Sequence, residues 1–393
     1  MHHSSKSMTS FKPVLVLFLW LQTSLTIAAS RYNPEAARLY DAGLRALTSG
    51  EQEKAQTILE KAIALDASLS DAHCVLGLIY SGFEKYRDAA EAFQRAISAD
   101  ENYIEAYCEL GDVLLIQLGD IRKAKAVLQK AIAMDGNHAH ARTLLGIAYF
   151  RENSTDAAIQ ELQKAVTLNP TSQTARYTLA TAFLQKEAWS LAIDTLKALI
   201  EIDPFHAKAH FSLGTAYRRI GEIEAARENL QRFETLSVEE EQLTHLKRFT
   251  RQVPTNAEAW YQLGRLQLKR ELWDEATQSL ERYITLAPQE NQGYEALGYA
   301  HFQQQNYKQT VAMYQKVIQQ KPDVATYRNS LAGAYLMLEQ YPEAIEQYQT
   351  AIRLQPSEPR FYRNLSKAYE RSGAQSEAEK IYREYERLIS QSK

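Results

Sequence analysis

The chain has 393 residues, 45% of them apolar and 24% charged, with a net charge of −3. These values exclude a disordered or collagen-like chain and offer no general attraction for polyanions. Two cysteines exclude a disulfide framework or a Cys-rich zinc module, and 15 glycines with 10 prolines are too few turn residues for a strand-rich or glycine-loop nucleotide fold. Abundant Ala, Glu, Gln and Leu predict helix throughout.

Residues 1–29 contain no acid. Lys6 and Lys12 precede an unbroken apolar run from Val14 to Leu21, and Ile27, Ala28 and Ala29 supply small residues before Ser30. This is the layout of a secretory signal peptide, with a run too short for the ~30 Å hydrocarbon core of a bilayer. An uncleaved anchor is the alternative, and Met8 is a second candidate start. No cysteine sits near Ala29 to mark a lipoprotein. The expectation is an exported chain, periplasmic or secreted, with no integral span after cleavage.

Beyond the leader a period of 34 governs the sequence. Leu76-Gly77-Leu78-Ile79-Tyr80, Leu145-Gly146-Ile147-Ala148-Tyr149 and Leu213-Gly214-Thr215-Ala216-Tyr217 share one phase with Leu110-Gly111, Leu263-Gly264, Leu297-Gly298 and Leu331-Ala332. Twelve residues after the small residue comes another, as at Ala55, Ala89, Ala158, Ala192, Ala226, Ala276 and Ala344. Alanine recurs seven further on (Ala62, Ala96, Ala131, Ala165, Ala351), and Pro170, Pro204, Pro288, Pro322 and Pro356 close their repeats. Small residues let two helices approach closely, Leu and Tyr at helical spacing make a buried stripe, and proline ends the second helix.

This pattern resembles the tetratricopeptide repeat, a helix-turn-helix unit of 34 residues. The resemblance implies an all-α α-solenoid, a right-handed superhelix of such units. Repeats are expected at 36–69, 70–103, 104–138, 139–172, 173–206, 207–240, 257–290, 291–324, 325–358 and 359–392, the third with one extra residue near Gly119-Asp120. The predicted organisation is a leader over 1–29, six repeats within 30–240, an inserted helix or linker over 241–256, and four repeats with a C-terminal cap over 257–393. Ser237 and Glu240 read as a capping box that starts the inserted helix, near Val238–Arg251 and ending before Pro254.

Chemistry-bearing motifs are missing. There is no phosphate loop, GxSxG turn or HExxH pair. His138 and His140 stand at a helix mouth, and His206 and His210 are four apart. His73 and His210 fall where other repeats carry Trp260 or Tyr294, so they are expected to pack rather than bind metal. Neither a metal, a cofactor nor an enzymatic activity is expected. Cys74 and Cys108 occupy equivalent positions in adjacent repeats, whose helices lie ~8–10 Å apart, too far for a bridge. Two free thiols follow.

By the resemblance, ligands bind along the first helices, where residues 2, 5, 9, 12 and 13 of each repeat face inward. Asp71, Cys74, Glu105, Cys108 and Asp112 make this face mildly acidic in the second and third repeats. Phe150, Arg151, Tyr177 and Gln185 follow. Repeats six to eight contribute Lys208, Phe211, Arg218, Arg219, Tyr261, Arg265, Lys269, Tyr299 and Phe302, and the tenth adds Arg360, Arg363, Lys367 and Arg371. Aromatics beside arginines suit a peptide groove. Tyr177 and the residues from Lys208 to Phe302 are therefore the expected site for an extended or helical protein segment of acidic character. Nucleic acid is a poor fit, the basic stretch being local. The expected function is a non-enzymatic scaffold or adaptor, on the envelope-assembly model of similar exported proteins. The alternatives are a structural homo-oligomer and a regulatory subunit of a cell-wall or polysaccharide-export enzyme.

Overall fold

A computed structural model describes residues 32–391. The expected leader lies outside the described residues. Among them there are twenty α-helices and no strand, and no helix is long and apolar enough to cross a membrane. The helices form ten consecutive pairs: α1 Pro34–Thr48 with α2 Gln52–Leu65, α3 Ser70–Gly82 with α4 Tyr86–Ala99, α5 Ile104–Asp112 with α6 Ile121–Met134, α7 Ala139–Arg151 with α8 Thr155–Leu168, and α9 Gln173–Gln185 with α10 Trp189–Ile202. Then come α11 Ala207–Arg219 with α12 Ile223–Gln252, α13 Ala257–Lys269 with α14 Trp273–Leu286, α15 Asn291–Gln303 with α16 Tyr307–Gln320, α17 Ala325–Met337 with α18 Tyr341–Leu354, and α19 Pro359–Arg371 with α20 Gln375–Gln391. The fold is an all-α solenoid of helix pairs.

Two compact units divide the chain after Phe233, within α12. In each, a second helix packs on its own partner and on the first helix of the next pair. The first helices also touch one another, α5 with α7, α7 with α9 and α9 with α11 in one unit, α13 with α15 and α17 with α19 in the other. First helices therefore share a face.

The small residues do what their spacing implies. A Cβ on Gly146 would come 2.5 Å from Leu162 Cγ, and one on Gly77 would come 2.6 Å from the Phe93 ring. Each glycine admits the large residue sixteen positions later, and Leu162 and Phe93 are fully buried as a result. Burial of one such side chain contributes ~1.5–3 kcal/mol, and the pattern repeats along the chain.

A polar tie recurs beside the prolines. The fourth residue of eight repeats reaches back six positions to a turn carbonyl: His73, Arg142, Arg176, His210, Trp260, Tyr294, Arg328 and Tyr362 bond Ala67, Gly136, Pro170, Pro204, Pro254, Pro288, Pro322 and Pro356 respectively. Proline ends the helix and also presents an acceptor that this side chain satisfies. His210 and His73 are buried in this slot. His138 and His206 serve instead as helix caps, since each Nδ1 accepts the backbone N–H three residues on. Among the described residues no three His, Cys, Asp or Glu side chains are placed to hold a metal ion.

Two sequence expectations need correction. The extra residue of the third repeat is not absorbed at Gly119-Asp120. It widens the end of the first helix into a π-turn over Val113–Gln117, where Leu118 N–H donates to Val113 O. A single inserted residue is most cheaply held this way. Nor does a helix begin at Ser237. Residues 223–252 contain neither proline nor glycine, so α12 runs unbroken for 30 residues and the inserted stretch through Gln252 continues it.

Cys74 and Cys108 are both free and both buried. Native protein should therefore resist alkylation by iodoacetamide. Denatured protein, without reductant, should gain two adducts by mass spectrometry; a single adduct or none would contradict free thiols.

Candidate protein-binding site

In the first compact unit the expected basic and aromatic residues lie on α9 and α11. Tyr177 is half-buried and its ring meets that of His206 at 5.1 Å. Phe211 is 48% exposed and packs against Phe233 at 5.0 Å. Lys208, Arg218 and Arg219 are exposed. The two arginines sit in the last turn of α11, where their charge also complements the helix dipole.

In the second compact unit Tyr261 is half-buried against Tyr283 at 5.0 Å, with the Arg265 guanidinium 5.7 Å from its ring centre. Tyr299 meets Trp273 edge-on at 6.1 Å, and Phe302 meets Tyr307 at 5.5 Å. Each expected aromatic anchor thus has one side held by another ring and leaves an edge outward. Rigid, pre-packed rings cost little entropy on binding. Lys269 differs from the rest. Its ammonium lies 2.5 Å from Glu239, a residue of α12 whose side chain is only 6% exposed, and Arg270 reaches the same carboxylate. Lys269 is thereby committed to joining α12 to α13. Glu239 lies with Leu236, Leu243 and Thr250 on the buried stripe of α12, so its charge demands partners.

Glu295 adds an acid to this face that is absent from the residues expected there. It accepts the Tyr327 hydroxyl at 3.0 Å, and burial with the nearby carboxylate pushes the Tyr327 phenol up to about 12. Asn364 donates to Asn329 across adjacent repeats at 2.9 Å. Position five of the eighth repeat is the signal that points to Glu295.

The acidic stretch of the first unit is more developed than its composition implies. Asp71 accepts a hydrogen bond from the Tyr103 hydroxyl, and burial raises its pKa. Glu105, Glu109 and Asp112 follow one side of α5 at i, i+4 and i+7. Burial, then the charge of Asp112, pushes Glu109 up to about 7. Burial also raises Asp112, opposed by Arg151. Arg151 in turn donates to Leu115 O, a carbonyl of the π-turn. Burial drives both thiols upward, Cys74 and Cys108 each feeling Glu105 and Glu109, and Cys108 lies 3.7 Å from His138 Nδ1. Repeat spacing marks Asp71, Glu105 and Asp112. It also marks Tyr40, at position five of the first repeat, but misses Glu109 and Tyr103, although the i+4 step from Glu105 is visible in the sequence.

Repeat profiles agree with this architecture. Tetratricopeptide repeat models match residues 70–103, 113–173, 149–210, 243–291 and 295–323, and a TPR repeat model matches 334–373. Human protein O-mannosyl-transferase TMTC3 is 26% identical over 118 residues, 30% of this chain and 13% of that protein. Lipopolysaccharide assembly protein B of Escherichia coli strain K12 is 26% identical over 125 residues, 32% of either protein. The matches thus span well under two thirds of these curated relatives. Among solved structures, MamA is 26% identical with a TM-score of 0.39, covering 42% of this chain and 96% of that one. PilF of Pseudomonas aeruginosa is 17% identical with a TM-score of 0.47, covering 51% and 91%. Tandem repeat models covering well over half of the sequence, on helix pairs of the matching period, show that the chain belongs to the tetratricopeptide repeat family.

Proposed function

We propose that this protein is a non-enzymatic adaptor that holds segments of other proteins along its first helices. What supports the reading is the set of half-buried and exposed rings on the first helices of each unit, Tyr177 and Phe211 with Lys208, Arg218 and Arg219 in one, and Tyr261, Tyr299 and Phe302 with Arg265 in the other. Rings supply contact area, and guanidinium groups pair with carboxylates in forked geometry. An acidic partner segment suits this stretch. Residues 1–29 act as an export leader in this reading, and the resemblance to lipopolysaccharide assembly protein B supports a place in envelope assembly.

A photocrosslinker at Tyr261 in cells, followed by mass spectrometry, should capture a discrete partner. Arg218→Glu, Arg219→Glu and Arg265→Glu combined should lower that yield by about tenfold, since a reversed rim charge repels the same partner. An undiminished yield from the triple variant would overturn the assignment.

A further inference from the structure

The acidic cluster of the first compact unit feels one cation, Arg151 at its Asp112 end, and is held in no ion pair. None of Asp71, Glu105, Glu109 and Asp112 belongs to an ion pair among the described residues. The nearby cation, Arg151 on α7, is bonded to the π-turn carbonyl of Leu115. Carboxylates crowded in this way and left unpaired repel one another, and a visiting cation relieves that repulsion.

A second observation points the same way. Tyr40, on α1, is only 7% exposed, yet its hydroxyl has no hydrogen-bond partner. Of the carboxylates around that hydroxyl, Asp71 acts on it most strongly, which places the hydroxyl beside the cluster. Buried hydroxyls are ordinarily bonded, and this one is available to accept an N–H from outside. Tyr103, by contrast, is already engaged with Asp71.

We infer that the first-helix face of repeats one to three binds a basic segment of a partner protein, with Asp71 and the Glu105–Glu109–Asp112 row taking successive lysine or arginine side chains and the Tyr40 hydroxyl accepting a hydrogen bond from one of them. The acids do not converge as a metal site would. They run along α5 for seven residues, roughly 10 Å at 1.5 Å per residue. A polyproline II segment covers that distance in about three residues at ~3.1 Å each and returns its side chains to one side every third residue, so basic side chains three positions apart match the two ends of the row. Guanidinium and ammonium groups are larger and less demanding of geometry than a metal ion, and suit acids spread in a line.

Each neighbouring helix contributes groups that face this row. They are Tyr40 from α1, Asp71 and Cys74 from α3, Tyr103 from the loop before α5, and Arg151 from α7. Of these only Arg151 is a cation, and it lies at the Asp112 end. The basic segment therefore has its open approach at the Asp71–Glu105 end.

This inference deepens the adaptor reading and rests on the same face serving as the binding surface. It is tested with the full chain and a fluorescein-labelled nonapeptide carrying lysine at every third position among alanine and serine, with a glutamate counterpart as control. Fluorescence anisotropy at low salt should show binding of the lysine peptide and none of the glutamate peptide. Glu105→Gln with Asp112→Asn should weaken the lysine peptide by about tenfold, because two charge pairs are lost. Tyr40→Phe removes a single oxygen, retains the packing and should weaken it about threefold, through loss of one hydrogen bond. Circular dichroism checks that each variant keeps its helix content. Equal affinity of the double variant, equal affinity for the glutamate peptide, or no binding of the lysine peptide would each overturn the inference. Capture of a partner from Tyr261 with failure of the lysine peptide would remove this assignment alone; failure of both would remove the adaptor reading as well.

Discussion

A variant carrying Glu84→Gly, Glu187→Gly, Glu271→Gly, Gln305→Gly and Glu339→Gly together should unfold at a clearly higher urea concentration than the parent chain. All five residues occupy the same place in their repeats, the turn between first and second helix, with φ between 56° and 62°. In other repeats Gly50, Gly119, Gly221 and Gly373 fill it, with φ from 71° to 86°. A side chain in this left-handed conformation crowds its own carbonyl and costs roughly 1–2 kcal/mol, part of which glycine returns as extra freedom in the unfolded chain. A net gain of about 0.5–1 kcal/mol per site, summed over five well-separated turns, comes to roughly 3–5 kcal/mol. Circular dichroism at 222 nm through a urea titration measures it. Because neighbouring repeats unfold cooperatively, the whole transition should shift upward rather than split. A lower midpoint in the quintuple variant would show that these four glutamates and Gln305 stabilise their turns by other means.

The second large effect concerns Glu109. Its folded pKa is about 7 against an ordinary value of 4.5. The folded chain therefore holds a proton between these values that the unfolded chain has lost. Stability from this group is fully present below about pH 4.5, declines as pH rises, and is gone above about pH 7. The span corresponds to ~3 kcal/mol. Asp112 and Asp71, both raised, act in the same direction. Asp66 and Asp120, lowered by their hydrogen bonds, act oppositely but only at more acidic pH. Glu109→Gln has no charge to desolvate, so it should be markedly more stable than the parent at pH 8 and nearly equal to it at pH 5. Melting temperatures of the two proteins at both pH values decide this. A pH-independent difference would mean that Glu109 is not desolvated in the fold. The same substitution should weaken the lysine peptide. Retaining an ionised carboxylate here lowers stability in exchange for a binding charge, a pattern common at functional sites.

Much of the fold is legible from single residues. Gly146 and Leu162, sixteen apart, specify one close helix contact, and the same pair of sizes recurs as Gly264 and Leu280. The slot filled by His210 can be assigned to packing because Trp260 and Tyr294 stand in phase with it. Local pattern suffices in such a protein because each contact joins residues near in sequence. The unbroken α12 is less legible, since Ser237 and Glu240 have the right spacing for a capping box. Only the lack of any helix breaker from Ile223 to Gln252 decides against it. Lys269 looks available on the same grounds as Arg265, and the difference lies wholly in the buried Glu239 beside it.

The secondary structure class, the period and the tandem order of the helix pairs are set by the sequence alone, because those depend on residue size and helix propensity within some 34 positions. Tertiary structure alone decided which charges are free and which are desolvated. Tyr40 and Cys74 stand 34 apart, in phase, but Glu109 does not share that phase, and the period says nothing of how deeply each is buried. Their electrostatics follow from how the stacked helices exclude water around them. Composition alone reads as a nearly neutral chain of −3. That sum conceals an acidic row that enters no ion pair among the described residues at repeats two and three, and the exposed Lys208, Arg218 and Arg219 of repeat six.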